Sequence, residues 1–152
     1  MRISLIAVLM LLTPFLAKAF DYEAYQPVEL ERVVTKIEVD PNGTTYHIDG
    51  AYPRYRSRVT FTGQIRPLAG EVRTLVTYWA ASMRHPPAIV ELYQSEIEVV
   101  QGAERYWMPI QKQLVDAFLK EVDPYGHVTV YVLFMGGIDL TAVFAVSGFA
   151  AE

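Results

Sequence analysis

The segment HVTVYVLFMGGIDLTAVFAVSGFAA, residues 127–151, decides the fold. Between Val128 and Ala151 its only charge is Asp139, and the run is long enough to cross a bilayer as a helix. Two features argue against a span. A carboxylate at the centre of an inserted helix costs about 2.5–3.5 kcal/mol. Gly136-Gly137 also breaks the run, and the β-branched and aromatic residues around it favour strands. The segment therefore predicts two core strands, Val128–Met135 and Thr141–Phe149, joined by a turn at Gly136-Gly137-Ile138-Asp139.

Upstream, MPIQKQLVDAFLKEVDPYG (108–126) predicts a helix with Pro109 at its first position, where a missing N–H costs nothing. Ile110, Leu114, Phe118 and Val122 form its apolar stripe, broadened by Val115 and Leu119. Asp123-Pro124 ends it. VELYQSEIEVVQG (90–102) predicts a strand over Ser95–Val100, closed by Gln101-Gly102. In AGEVRTLVTYWAASMRHPP (69–87), Val72, Leu75, Val76, Trp79 and Met83 fall at helical spacing, which predicts a helix from about Glu71 to Met83. Trp79 and Trp107 both read as core residues.

YRSRVTFTGQIRPL (55–68) alternates: Val59, Phe61, Gly63 and Ile65 face one way, and Thr60, Thr62, Gln64 and Arg66 the other. Before it, VVTKIEVDPNGTTYHIDG (33–50) predicts a β-hairpin, with Val33, Ile37 and Val39 leading into Asp40-Pro41-Asn42-Gly43. Residues 20–32 read as an extended arm. The element order β-β-β-α-β-α-β-β places the chain in the α+β class. The expected form is an antiparallel sheet or a partly closed, OB-like barrel with one or two helices. A last helix followed by two strands is the C-terminal order of an OB barrel.

The first residues, MRISLIAVLMLLTPFLAKA (1–19), have Arg2, an apolar run from Ile3 to Leu16, and Ala17-Lys18-Ala19 at the end. This pattern predicts a signal peptide cleaved after Ala19, leaving a single domain over 20–152 that is periplasmic or secreted and has no stable membrane span. The run is too short for a typical spanning helix. With no cysteine in the chain, disulfides, thiolate chemistry and Cys-based metal sites are excluded.

Without Arg2 and Lys18, the 13 basic residues fall to 11 against 17 acids, a net charge of −6. Residues 54–84 depart from this background: Arg54, Arg56, Arg58, Arg66, Arg73 and Arg84 face one acid, Glu71. Nucleic acid is not an expected partner for so acidic a chain. Arg54, Arg56 and Arg58 share one strand face because side chains two apart do so. They either pair with acids of the same molecule, such as Glu29, Glu31, Glu38 and Asp40, or form a surface for an acidic protein or an anionic envelope ligand. Tyr52 and Tyr55 complete the expected binding set, as Tyr and Arg dominate interaction hot spots.

Catalytic constellations are sparse. Glu96 and Glu98 share a strand face, and paired carboxylates serve polysaccharide hydrolases; the same spacing is also that of an ordinary wet strand face. His47 and Asp49 give two metal donors where zinc takes three or four protein ligands. His85 and His127 lack a nucleophile in any recognisable pattern. Phosphate loops, GxSxG and HExxH are absent. The expectation is a small exported binding domain without catalysis, metal or cofactor. A hydrolase using Glu96 and Glu98 is the alternative.

Overall fold

Strand β4, Arg54–Pro67, is long enough to pair with two different strands, and this closes the sheet into a ring. The structure is a computed structural model. It describes residues 20–34, 38–39, 46–47, 54–138 and 141–152. The leader, the turn at Asp40-Pro41-Asn42-Gly43, Asp49, Tyr52 and Asp139 lie outside the described residues, as do the side chains of Glu38 and His47.

The elements run β1 (Gln26–Pro27), α1 (Leu30–Val34), β2 (Glu38–Val39), β3 (Tyr46–His47), β4, α2 (Gly70–Ser82), β5 (Tyr93–Gln101), β6 (Glu104–Gln111), α3 (Lys112–Glu121), β7 (His127–Ile138) and β8 (Thr141–Ala151). The N-terminal half of β4 pairs antiparallel with β7, from Arg54↔Leu133 to Thr60↔His127. Its C-terminal half pairs with β5, from Thr60↔Val100 to Pro67↔Ser95. The order β4-β5-β6-β8-β7 then returns to β4, with β6 and β8 parallel at Ile110↔Val146. The chain is α+β and its barrel is OB-like. β1 adds to β4 in parallel at Gln26↔Tyr55 and Pro27↔Arg56. β2 and β3 form the expected hairpin, in register at Val39↔Tyr46. No helix among the described residues is long and apolar enough to cross a membrane.

One strand can serve two partners only if it bends. The pairs Phe61↔Val99 and Ile65↔Ile97 leave Thr62, Gly63 and Gln64 opposite Glu98 alone. Gly63 takes φ +88°, and a Cβ there would lie 3.0 Å from Pro124. The loop after α3 fills that space. Tyr125 N donates to Phe61 O (2.6 Å), and Phe61 N donates to Gly126 O (3.0 Å). Inward parity resumes at Ile65, opposite the buried Ile97, but at the rim, where it is 38 % exposed.

The barrel interior holds Val59, Phe61, Ile97, Val99, Met108, Ile110, Val130, Phe134 and Phe144, all buried. α3 plugs it: Phe118 meets Phe61 and Phe149 edge-on, each at 5.0 Å between ring centroids. A second core lies outside the barrel, where Val72, Val76, Trp79 and Ala80 of α2 cover Met135, Val143 and Ala145.

The structure corrects several boundaries. The helix begins at Lys112, and Pro109 sits in β6 opposite Glu96. Tyr106, Met108 and Ile110 alternate inward there, so Ile110 belongs to the barrel and not to the helix stripe. Pro109 is tolerated because the other edge of β6 meets β8 in register only at Ile110. Trp107 points outward and is half-buried, beneath Arg66, while Trp79 is core as expected. Gly136 and Gly137 are inside the β7–β8 ladder, paired with Val143 and Ala142, and not in its turn. Val33 lies in α1, and the N-terminal arm carries a 3-10 turn at Tyr22–Ala24.

Phe118→Ala is expected to lower the unfolding free energy by about 3–5 kcal/mol in a urea titration, since both cavity and transfer costs apply. Leu119→Ala, at a residue 45 % exposed on the same helix, should cost about 1 kcal/mol or less. Equal costs would mean that α3 does not plug the barrel.

Candidate functional site

Arg54, Arg56 and Arg58 alternate with Tyr55, Ser57 and Val59 along β4, so the arginines share the outer face. Val59 is buried in the barrel and Tyr55 packs against the same core, where burial pushes its phenol pKa up. Tyr55 therefore stands on the opposite side of the sheet from the arginines it was expected to join.

The arginines differ in what they meet. Arg58 Nε donates to both carboxylate oxygens of Glu152, at 2.9 and 2.8 Å, and its Nη2 lies 2.7 Å from Oε2. The hydrogen bond from Arg58 holds the Glu152 carboxyl below its ordinary range. The expected acids do not supply this partner: among the described residues, neither Glu29 nor Glu31 pairs with an arginine of this face. Arg54 instead lies over the Tyr25 ring, 6.0 Å from its centroid. Arg56 stands opposite Tyr131 across the β4–β7 ladder. Among the described residues, no carboxylate is within ion-pair distance of Arg54 or Arg56.

Beneath Arg54 and Arg56 lies a bed of aromatic rings. Tyr131 meets Phe20, Tyr22 and Tyr25 at 5.5, 4.9 and 5.5 Å between centroids. Phe20 stacks on Tyr25 at 5.2 Å and fills the space left by Gly148, where a Cβ would come within 2.8 Å of its ring. Tyr25 Oη and Ser147 Oγ are hydrogen-bonded at 2.8 Å. The N-terminal arm is thus fastened to the outside of β7 and β8. Tyr131 was hidden in the sequence by its apolar neighbours, although its alternation with Val130 and Val132 would place it on the outer face.

Further along β4, the outer face changes character. Glu96 and Glu98 do share a face of β5, but it is covered. Glu96 is 0 % exposed. Its Oε2 accepts from Arg66 Nε (3.1 Å) and from Ala69 N (3.0 Å). The Arg66 guanidinium lies 3.9 Å over the Trp107 ring. Glu98 Oε2 accepts from the Thr62 hydroxyl (2.7 Å), and Oε1 accepts from Arg105 Nη1 (3.2 Å). These contacts, the Thr62 hydrogen bond first, hold the Glu98 carboxyl below its ordinary range against the opposing effect of burial. A general acid needs the reverse shift.

Thr60, Thr62, Gln64, Glu98, Arg105 and Tyr125 line a depression of about 400 Å³ beside this network. His127 Nδ1 is 3.1 Å from Thr60 Oγ1, and His85 lies against Trp79. Among the described residues, no three histidine or carboxylate side chains converge as a metal site would require. No family model matches the chain and no curated protein matches it, so the geometry alone carries the functional argument.

Glu98 gives a pH test. Its folded-state pKa is depressed, so its stabilising effect is present above its unfolded pKa and is lost as pH falls through the folded value. Glu98→Gln should therefore flatten the loss of stability between neutral pH and about pH 3, measured by urea midpoints. Parallel pH profiles for the two proteins would show that Glu98 is not held ionised by Thr62 and Arg105.

Proposed function

We propose that this chain is an exported, non-catalytic binding domain whose outer β4 face holds an anionic component of the cell envelope. One observation carries the reading. Arg58, Arg66, Arg73 and Arg105 each have a glutamate partner, whereas Arg54 and Arg56 have no carboxylate partner among the described residues. Net acidity makes the contrast sharper. Solubility does not require two adjacent outward arginines in a chain with 17 acids. Their guanidinium forks suit carboxylate or phosphate, and the aromatic bed under Arg54 limits the ordering entropy lost on binding. The leader-like residues 1–19 support export and a periplasmic or secreted location.

The hydrolase alternative gains no support from the carboxylates, because Glu96 and Glu98 are each engaged by an arginine and Glu98 is held ionised. Docking through a sheet edge is also disfavoured. Among the described strands, those of the ring pair on both sides over part of their length, and β1, β2 and β3, which lie outside it, are two residues each.

Reversing both charges, Arg54→Glu with Arg56→Glu, should reduce retention on envelope fractions by about tenfold or more at low salt, with an unchanged circular dichroism spectrum. Lys120→Glu, on the exposed side of α3, should leave retention within about twofold. Unchanged retention of the double variant, or an equal loss with Lys120→Glu, would remove the arginine pair as the binding surface.

A further inference from the structure

The arginine pair and the polar depression lie on one stripe. Arg54, Arg56, Arg58, Thr60 and Thr62 occupy alternate positions on the outer side of β4, and Thr60 and Thr62 form one wall of the depression. At about 3.3 Å per residue, Arg56 and Thr62 are roughly 20 Å apart along the strand. No single small anion spans that length, so a ligand touching both ends is a polymer.

The depression is unlike the arginine end. Its lining includes Glu98, a carboxylate with acceptor capacity beyond its bonds from Thr62 and Arg105. The Thr62 hydroxyl is fixed between Glu98 and Gln64 N, which donates to it at 3.3 Å. Arg105 is 68 % exposed at its side chain and has spare donors. Tyr125 stands at the rim. It is 77 % exposed and left-handed at φ +64°, a conformation uncommon for a residue other than glycine, asparagine or aspartate. The loop bonds from Tyr125 N to Phe61 O and from Phe61 N to Gly126 O hold it there.

We infer that the anionic partner is an acidic polysaccharide, with its carboxylates on Arg54 and Arg56 and a sugar ring in the depression bounded by Thr62, Glu98, Arg105 and Tyr125. This rests on the reading of Arg54 and Arg56 given above. A carboxylate accepts hydrogen bonds from sugar hydroxyls, donors that a polyphosphate chain lacks, so Glu98 finds partners on the first and not on the second. Arg105 donates to ring and hydroxyl oxygens. The exposed Tyr125 ring offers an apolar face to the C–H side of a pyranose. The same strand thus supplies charge at one end and hydroxyl recognition at the other.

The test uses polygalacturonate, polyphosphate and dextran as probes of the purified protein by isothermal titration calorimetry. Polygalacturonate has charge and sugar rings, polyphosphate charge alone, and dextran sugar rings alone. Polygalacturonate should bind most tightly. Tyr125→Asn removes the ring while tolerating the left-handed backbone. It should weaken polygalacturonate by about tenfold and leave polyphosphate within about twofold. Thr62→Val should act in the same direction. Arg54→Glu with Arg56→Glu should abolish binding of both anionic polymers. If polyphosphate binds as tightly as polygalacturonate and Tyr125→Asn changes neither, the sugar subsite is wrong while the arginine surface stands. If no anionic polymer binds, both are overturned.

Discussion

The structure depends on a single strand that serves two partners. β4 lends its first half to β7 and its second half, from Thr60, to β5, and it bends at Gly63 just inside the second half. The bend is held from outside. The loop after α3 donates to and accepts from Phe61, and Pro124 occupies the place where a side chain at Gly63 would be. Closure satisfies the backbone groups that an open sheet would expose at its edges. It also gives a chain without cysteine a closed apolar barrel interior, stoppered by Phe118, beside the second core under α2.

Closure also sorts the charges. The inner face is apolar apart from Ser57 and Gln101, whose side chains hydrogen-bond each other, and the arginines of β4 together with Glu96, Glu98 and Arg105 stand on the outside. At the second half of β4 this crowds Glu96 and Glu98 against Arg66 and Arg105, and the glutamates are buried beneath their partners. Removing one partner of such a pair strands a charge away from water, which is why these contacts are structural before they are anything else. At Arg54 and Arg56 the neighbours are the aromatic rings of the N-terminal arm and of Tyr131, which supply packing and no counter-charge, whereas Arg58 in the same half is met by Glu152. Charge compensation along β4 therefore changes within its first half, between Arg56 and Arg58.

Much of this was legible wherever a period ran unbroken. The alternation of Val59 and Phe61, the stripe of Val72, Val76 and Trp79, and the hairpin of residues 127–151 all stand in the structure. Legibility failed where one residue fitted two patterns. Pro109 is as suitable at a helix start as at a strand position with little pairing on one edge, and reading it as the former concealed β6, whose alternation turns Trp107 outward. Sidedness failed where it depends on distant pairing. Tyr55 lies on the inner side, away from the arginines it was expected to join, because β4 turns odd positions inward, while β7 turns Tyr131 outward beside them. The partner of Arg58 is Glu152, 94 residues away, and no local pattern announces it.

The double pairing of β4 is open to direct measurement by cross-strand nuclear Overhauser effects on uniformly labelled protein. Contacts of Ser57 with Val130 and of Ile65 with Ile97 should both appear at full intensity in one folded species, as the register places them. Finding either set without the other would mean that the ring is open and that the outer stripe from Arg54 to Thr62 does not exist.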